Sequence, residues 1–195
     1  KPKVVHLTIV HKRYDSRIFC KECISLSEAG YDVSLIVADG LGNETKQGVK
    51  IIDVGRAEAS RIKRMIRTSR KAVDLALGMN ADIYHFHDPD LLIEALRLRK
   101  KACVIFDSHE DFPALMKQRD YIPDFARKVL FRLCTLIEKY SAKRLSAVVC
   151  ATETIQDKFA RYGNIRAVVV KNYPVFSSCE SETTNSYDTT KPVCY

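Results

Sequence analysis

The sequence predicts an α/β protein built on a doubly wound, mostly parallel sheet. Three observations carry this. Short apolar runs alternate with helix-patterned segments along residues 4–170. The first run is almost continuously apolar, as in strands covered on both faces. Two helical segments are closed by glycine, at Gly30 and Gly163. Composition allows a core of this kind: 46% of the 195 residues are hydrophobic and 9% aromatic. The length fits one ordinary domain with a tail.

Taken in order, residues 4–10 are the first strand, and a polar loop, 11–16, follows it. Residues 17–29 carry apolar side chains at helical spacing and stop at Gly30. Strands are expected at 33–37 and 49–54, with a turn-rich Ala-Asp-Gly-Leu-Gly-Asn segment after the former. Residues 59–77 read as a helix dense in Arg and Lys. Residues 82–85 read as a strand, 91–98 as a helix after an Asp-Pro turn, and 103–106 as a further strand. A long helix over 123–142, a strand at 147–150, a helix over 153–161 and a strand at 167–170 complete a domain assigned to residues 1–175. Residues 176–190, rich in Ser, Thr, Asp and Glu, read as a polar linker. Residues 191–195 read as the start of the first strand of an absent second domain.

No apolar run approaches the roughly 20 residues that cross a bilayer, and no leader is expected before the first strand. The seven cysteines are scattered through apolar segments. Cys20 and Cys23 form a C-x-x-C, but a structural zinc site needs a second close pair and the sequence has none. A reduced, cytoplasmic compartment follows. The net charge of +8 points to an anionic partner without identifying it.

Ligands in open parallel sheets bind beyond the carboxyl ends of the strands. Three polar clusters fall there: His-Lys-Arg-Tyr-Asp-Ser-Arg at 11–17, His-Phe-His-Asp-Pro-Asp at 85–90, and Asp-Ser-His-Glu-Asp at 107–111. The first lacks the glycines of a dinucleotide fingerprint, which argues against NAD or FAD. Lys12, Arg13 and Arg17 can meet a phosphate at the start of the following helix. Equally, Asp15 can cap that helix while the basic residues are solvated. The second cluster has the wrong spacing for a metal-hydrolase H-x-H-x-D-H pattern. Two histidines on alternate strand residues would also need further ligands from elsewhere, so no metal is expected. His85 is read as structural, and His87 and Asp88 as cleft residues. In the third cluster His109 stands just past a strand end among Asp107, Glu110 and Asp111, where an imidazole can polarise a hydroxyl or a phosphate-linked leaving group. It is the candidate catalytic residue; a histidine bonded to loop backbone is the plainer alternative.

With these clusters in place, residues 3–175 resemble the N-terminal domain of family-4 glycosyltransferases of the GT-B type. The resemblance rests on five pieces in order: His-Lys-Arg-Tyr-Asp-Ser-Arg-Ile-Phe-Cys-Lys-Glu, Glu-Ala-Gly-Tyr-Asp-Val, Asp-Ile-Tyr-His-Phe-His-Asp-Pro-Asp, Phe-Asp-Ser-His-Glu and Lys-Asn-Tyr-Pro. It implies a Rossmann-like half of a two-domain enzyme that moves a sugar, with retention, from a nucleotide-sugar to a saccharide or lipid-linked acceptor. It implies no cofactor and no obligatory metal. By the same resemblance His109 lies close to the transferred sugar. Asp15 and Arg17 belong to the loop facing the donor phosphate, His87, Asp88 and Glu110 to the cleft, and Asn172 to the exit toward the second domain. The sequence lacks the Gly-Gly turn many members carry after the first strand. The donor-binding residues belong to the second domain, so the chain alone is expected to be inactive.

Residues 59–71 interleave Arg61, Arg64, Arg67 and Lys71 with apolar side chains, a basic amphipathic pattern suited to an anionic membrane surface. A solvated outer face is the plainer reading. Peripheral docking at the inner face of the membrane fits lipid-linked acceptors. No nucleic-acid reader motif occurs. The alternatives are a non-catalytic module binding a phosphorylated ligand, and a GT-B nucleotide-sugar epimerase.

Overall fold

The computed structural model describes residues 1–117 and 122–173. The linker at 176–190 and the strand start at 191–195 lie outside the described residues. β1 (Lys3–Leu7) leads through a polar loop into a π-helical stretch, Ile18–Cys23, which continues as α1 (Ile24–Glu28). Gly30, at φ +91°, ends this helix; its amide bonds to the Ser27 carbonyl and that of Tyr31 to Leu26. β2 (Asp32–Val37), β3 (Glu44–Lys46) and β4 (Val49–Asp53) follow. α2 (Arg61–Lys63) passes through a π-type stretch, Arg64–Thr68, into α3 (Ser69–Met79). β5 (Ile83–Phe86) comes next, then two 3₁₀ segments, Pro89–Leu91 and Glu94–Lys100. β6 (Cys103–Ser108), α4 (Phe112–Lys117), α5 (Asp124–Ala142), β7 (Ala147–Cys150), α6 (Glu153–Arg161) and β8 (Ala167–Val169) complete the order.

The strands form one eight-stranded sheet in the order β3-β4-β2-β1-β5-β6-β7-β8, parallel except for the β3–β4 hairpin. The order reverses direction between β1 and β5, so the crevice of a doubly wound sheet opens beyond the ends of these two strands. One face packs Leu7, Tyr84, Phe86, Phe106 and Val148 against α3, α5 and α6. On the other face, Val33, Leu35, Val37 and Ile51 pack against Ile18, Phe19, Cys23 and Ile24 of the first helix.

The same alternation places His6 of β1, His85 of β5 and Asp107 of β6 on that second face, with His87 following His85 two residues on. The hydrophobic period that builds the core therefore also builds a polar spine beneath the crevice. Two expectations need correction. The first strand stops at Leu7, because the amides of Ile9 and Val10 turn to the Asp88 carboxylate. The helix expected over 91–98 is of the 3₁₀ kind and in two pieces, Pro89–Leu91 and Glu94–Lys100.

Candidate active site

A cleft of about 350 Å³ lies at the switch point, beyond the ends of β1, β5 and β6. His11, His87, Asp88, His109 and Glu110 line it. All three sequence clusters thus contribute to one site. Asp107, fully buried, is its hub. Its Oδ2 accepts from Arg17 Nε at 2.7 Å and lies 2.9 Å from His109 Nε2, while its Oδ1 accepts from Arg17 Nη2 at 2.9 Å. His87 Nδ1 lies 3.4 Å from the same Oδ2. Burial would raise the Asp107 carboxyl, but the hydrogen bonds from His109, His87 and Arg17 outweigh it and hold the group well below its ordinary value. An ionised Asp107 fixes the tautomer of His109: Nε2 carries the proton, and Nδ1 is left to meet a ligand. His109 is about one-fifth exposed, enough to be reached from the cleft.

Asp88 is buried and accepts from Thr8 Oγ1 at 3.0 Å and from the amides of Ile9 and Val10. It shapes the loop after β1 by replacing the ladder bonds those amides would otherwise need. Burial pushes its carboxyl up despite these donors. His11 stands over it, with Nε2 at 3.4 Å from Asp88 and Nδ1 at 3.5 Å from Asp15. The hydrogen bond to Asp15 raises the His11 imidazole above its usual value. Glu110 is exposed at the rim.

Asp15 is a cap: Oδ1 accepts from the amides of Arg17 and Ile18 at 2.8 and 3.0 Å. Arg17 lies beneath the cleft instead of in it. It is buried, with Nε and Nη2 on Asp107 and Nη1 donating to the Val170 carbonyl at 2.9 Å. Arg13 is likewise internal, forked onto Asp39 and bonded to Glu44, and so ties the first loop to the β3 hairpin. Asn172 is exposed away from the cleft and accepts a bond from Lys21. Of the four basic residues assigned to a membrane face, Arg61 and Arg64 turn into the cleft and share Asp90, at 3.0 and 2.9 Å. Arg67 and Lys71 remain exposed.

Sequence reasoning passed over His6 and Glu22. His6 Nδ1 lies 3.0 Å from His87 Nε2, and Glu22 Oε2 stands 3.7–3.8 Å from ring nitrogens of His6, His85 and His87. Burial, with Asp107 nearby, pushes the Glu22 carboxyl up to about 9, and burial pushes His85 down to about 3. The signal available was the two-residue phase: His6, His85 and Asp107 all point to one face.

A crevice at the switch point, with an aspartate-held histidine beside a loop pinned by a second aspartate, is that of a Rossmann-like, doubly wound domain. Comparison with known proteins agrees. Residues 21–173 match the Glycosyltransferase Family 4, and the chain belongs to that family as its N-terminal GT-B domain. No curated protein matches the sequence. Among solved structures, sucrose-phosphate synthase from Thermosynechococcus elongatus is similar, at a TM-score of 0.64 and 11% identity over 88% of this chain and 48% of that one. HepE from Anabaena, in complex with UDP and glucose, aligns at a TM-score of 0.54 and 9% identity, over 88% of this chain and 44% of its own. The catalytic domain of starch synthase IV from Arabidopsis thaliana, bound to ADP and acarbose, gives 0.53 and 10%, over 88% and 51%. The chain spans about half the length of these proteins, and at such identities the likeness is one of fold.

Proposed function

We propose that the whole protein transfers a hexosyl group, with retention, from a nucleotide-sugar to a saccharide or lipid-linked acceptor in cell-surface polysaccharide or glycoconjugate synthesis. The observation that carries this reading is the His109–Asp107 pair at the mouth of the switch-point cleft. In this reading His109 contacts the transferred sugar through Nδ1. Asp107 holds the ring in place, and Asp88, through the loop after β1, shapes the side of the cleft facing the donor phosphate. The diphosphate is met by side chains and amides, with no metal on it. The UDP and ADP bound by similar structures support a nucleotide-sugar donor.

The test is nucleotide release and sugar transfer across a panel of nucleotide-sugars by the two-domain protein. Replacing His109 with Ala should lower kcat about 10²-fold or more in protein that circular dichroism shows to be folded, with a lower melting temperature from the lost bond to Asp107. A variant with normal turnover would remove His109 from the chemistry. The isolated chain should transfer nothing, and measurable transfer by it would refute the division of labour between domains.

The surface of α5 also supports membrane docking. On α5, Phe125, Val129, Leu133, Leu136 and Tyr140 are all exposed, Phe125 by 81%. At 3.6 residues per turn they fall within an arc of about 80°. Lys128, Arg132 and Lys139 border that stripe. No helix among the described residues is long and apolar enough to cross a membrane. An apolar stripe with a basic margin suits contact in the plane of the cytoplasmic leaflet. Co-sedimentation with anionic vesicles should be strong at low salt and fall when Leu133 and Leu136 are replaced by Ser. No sedimentation at low salt would end the docking reading.

A further inference from the structure

The spine beneath the crevice brings together the ligands that two histidines on one strand could not supply. His6 Nδ1, His85 Nδ1, His87 Nε2 and Glu22 Oε2 converge from β1, from β5 and its end, and from the first helix. The separations are 3.0 Å for His6–His87 and 3.7–3.8 Å from Glu22 to each histidine. The donor atoms of the four residues lie within 4.8 Å of one another. Four ligands at zinc distances of 2.0–2.1 Å in a tetrahedron stand about 3.3 Å apart. Small rotamer adjustments therefore close the set.

Hydrogen bonding within the protein leaves it incomplete. Glu22 Oε2, which faces all three histidines, is buried and makes no hydrogen bond, and His6 is wholly shielded from solvent. Buried groups of this kind ordinarily have partners. We propose that His6, Glu22, His85 and His87 bind one divalent transition-metal ion of the zinc class, as a closed structural site under the cleft floor.

The outer ligands fit. His87 turns its other nitrogen, Nδ1, to Asp107 at 3.4 Å, the carboxylate–histidine–metal arrangement that orients a ligating imidazole. Glu22 Oε1 lies 3.2 Å from Arg17 Nε, so the carboxylate is held from behind. An imidazole and carboxylate set suits zinc, cobalt or nickel better than magnesium or calcium. An entry path exists: a second cavity of about 350 Å³ on the same sheet face is lined by Glu22 and His85, with Val4, Ile83, Ile105 and Val149. The ion sits behind His87 and away from the donor phosphate. It stiffens the site and takes no part in sugar transfer, and the inference stands whether or not the transfer reading does.

The test uses the untagged chain, stripped with chelator and titrated with Zn(II) by calorimetry and with Co(II) by visible absorption. One ion per chain and the intense bands of four-coordinate Co(II) are expected. Glu22→Gln and His85→Gln should each weaken binding at least about 100-fold, beyond the range of outer-ligand changes. Circular dichroism checks that both remain folded, and Zn(II) should raise the Tm of the unmodified chain only. Replacing Cys20 and Cys23 with Ser should leave binding intact. Absence of binding, binding indifferent to Glu22 and His85, or binding lost with the cysteines would each overturn the assignment.

Discussion

Arg17 and Asp107 form the one pair on which both the stability of the fold and the posture of His109 depend. Arg17 is 4% exposed and Asp107 0%. Replacing Arg17 with Met keeps most of the volume and removes the charge. Asp107 then loses two charge-assisted bonds, at 2.7 and 2.9 Å, and keeps only its histidines. Hydrogen bonds to charged groups contribute about 1.5–3 kcal/mol each. Breaking a buried ion pair from one side costs about 3–5 kcal/mol, because the remaining charge is left in low dielectric. The two routes agree on about 4 kcal/mol, a large share of the 5–15 kcal/mol typical of whole domains. The chain has no tryptophan, so urea unfolding is best followed by far-ultraviolet circular dichroism. The midpoint should fall steeply at constant slope. A cycle with Asp107→Asn should show a coupling of about 2 kcal/mol or more. A loss below about 1 kcal/mol, the range of exposed pairs, would mean that water reaches Asp107 and that the hub is not dry.

Removing the Asp88 carboxylate, as Asp88→Ala, leaves Thr8 Oγ1 and the Ile9 and Val10 amides without their acceptor; a loss of about 2–4 kcal/mol in the same unfolding assay is expected. His11 has a folded pKa raised above its unfolded value of about 6.5, so its stabilisation is complete below that pH and is lost as pH rises through the folded value. The Tm gap between the unmodified chain and His11→Gln should therefore be wider at about pH 5.5 than at about pH 8.5, and an equal gap would show that the contact with Asp15 carries no charge. Gly30 holds φ +91° at the end of α1, and an added methyl group there would point into open space, so Gly30→Ala should cost about 1 kcal/mol through backbone strain alone, read as a shift of the urea midpoint.

Much of the fold was legible because its signals are local. Alternating apolar runs and helical segments give strand and helix without long-range information, and the three polar clusters at 11–17, 85–90 and 107–111 announce the switch-point cleft by their place at strand ends. β3 was missed because Glu44-Thr-Lys46 has no apolar side to read; it is held by pairing with β4 and by Arg13 on Glu44. The early end of β1 was hidden too, since Asp88 lies 79 residues from the amide that it takes from Ile9. Glu22 looked like an ordinary polar position on a helix. Only the crossing of that helix over β1 and β5 turns it toward three histidines. The direction of Arg61 and Arg64 was equally unreadable: a basic stripe states which residues share a helix face, and it takes the tertiary partner Asp90 to say where that face points.

The same geometry explains why the histidine that reaches into the cleft, His109, is less deeply buried than the charges that hold it. Arg17 reaches three parts of the chain at once: Asp107 at the end of β6, Glu22 on its own helix, and the Val170 carbonyl just past β8. Asp107 passes that constraint to His109 and His87, which are 2.9 and 3.4 Å from the same oxygen. The exit of the last strand and the orientation of the cleft histidine are therefore set by one guanidinium. A site that must hold its groups to within about half an ångström is built more accurately on strand ends tied in this way than on a free loop. His109 can stay partly exposed and available to a ligand because the charges that hold it are buried. An arginine at the position of Arg17 is needed for its bidentate fork, and a lysine there, with a single point of charge, could not span both Asp107 oxygens and the Val170 carbonyl.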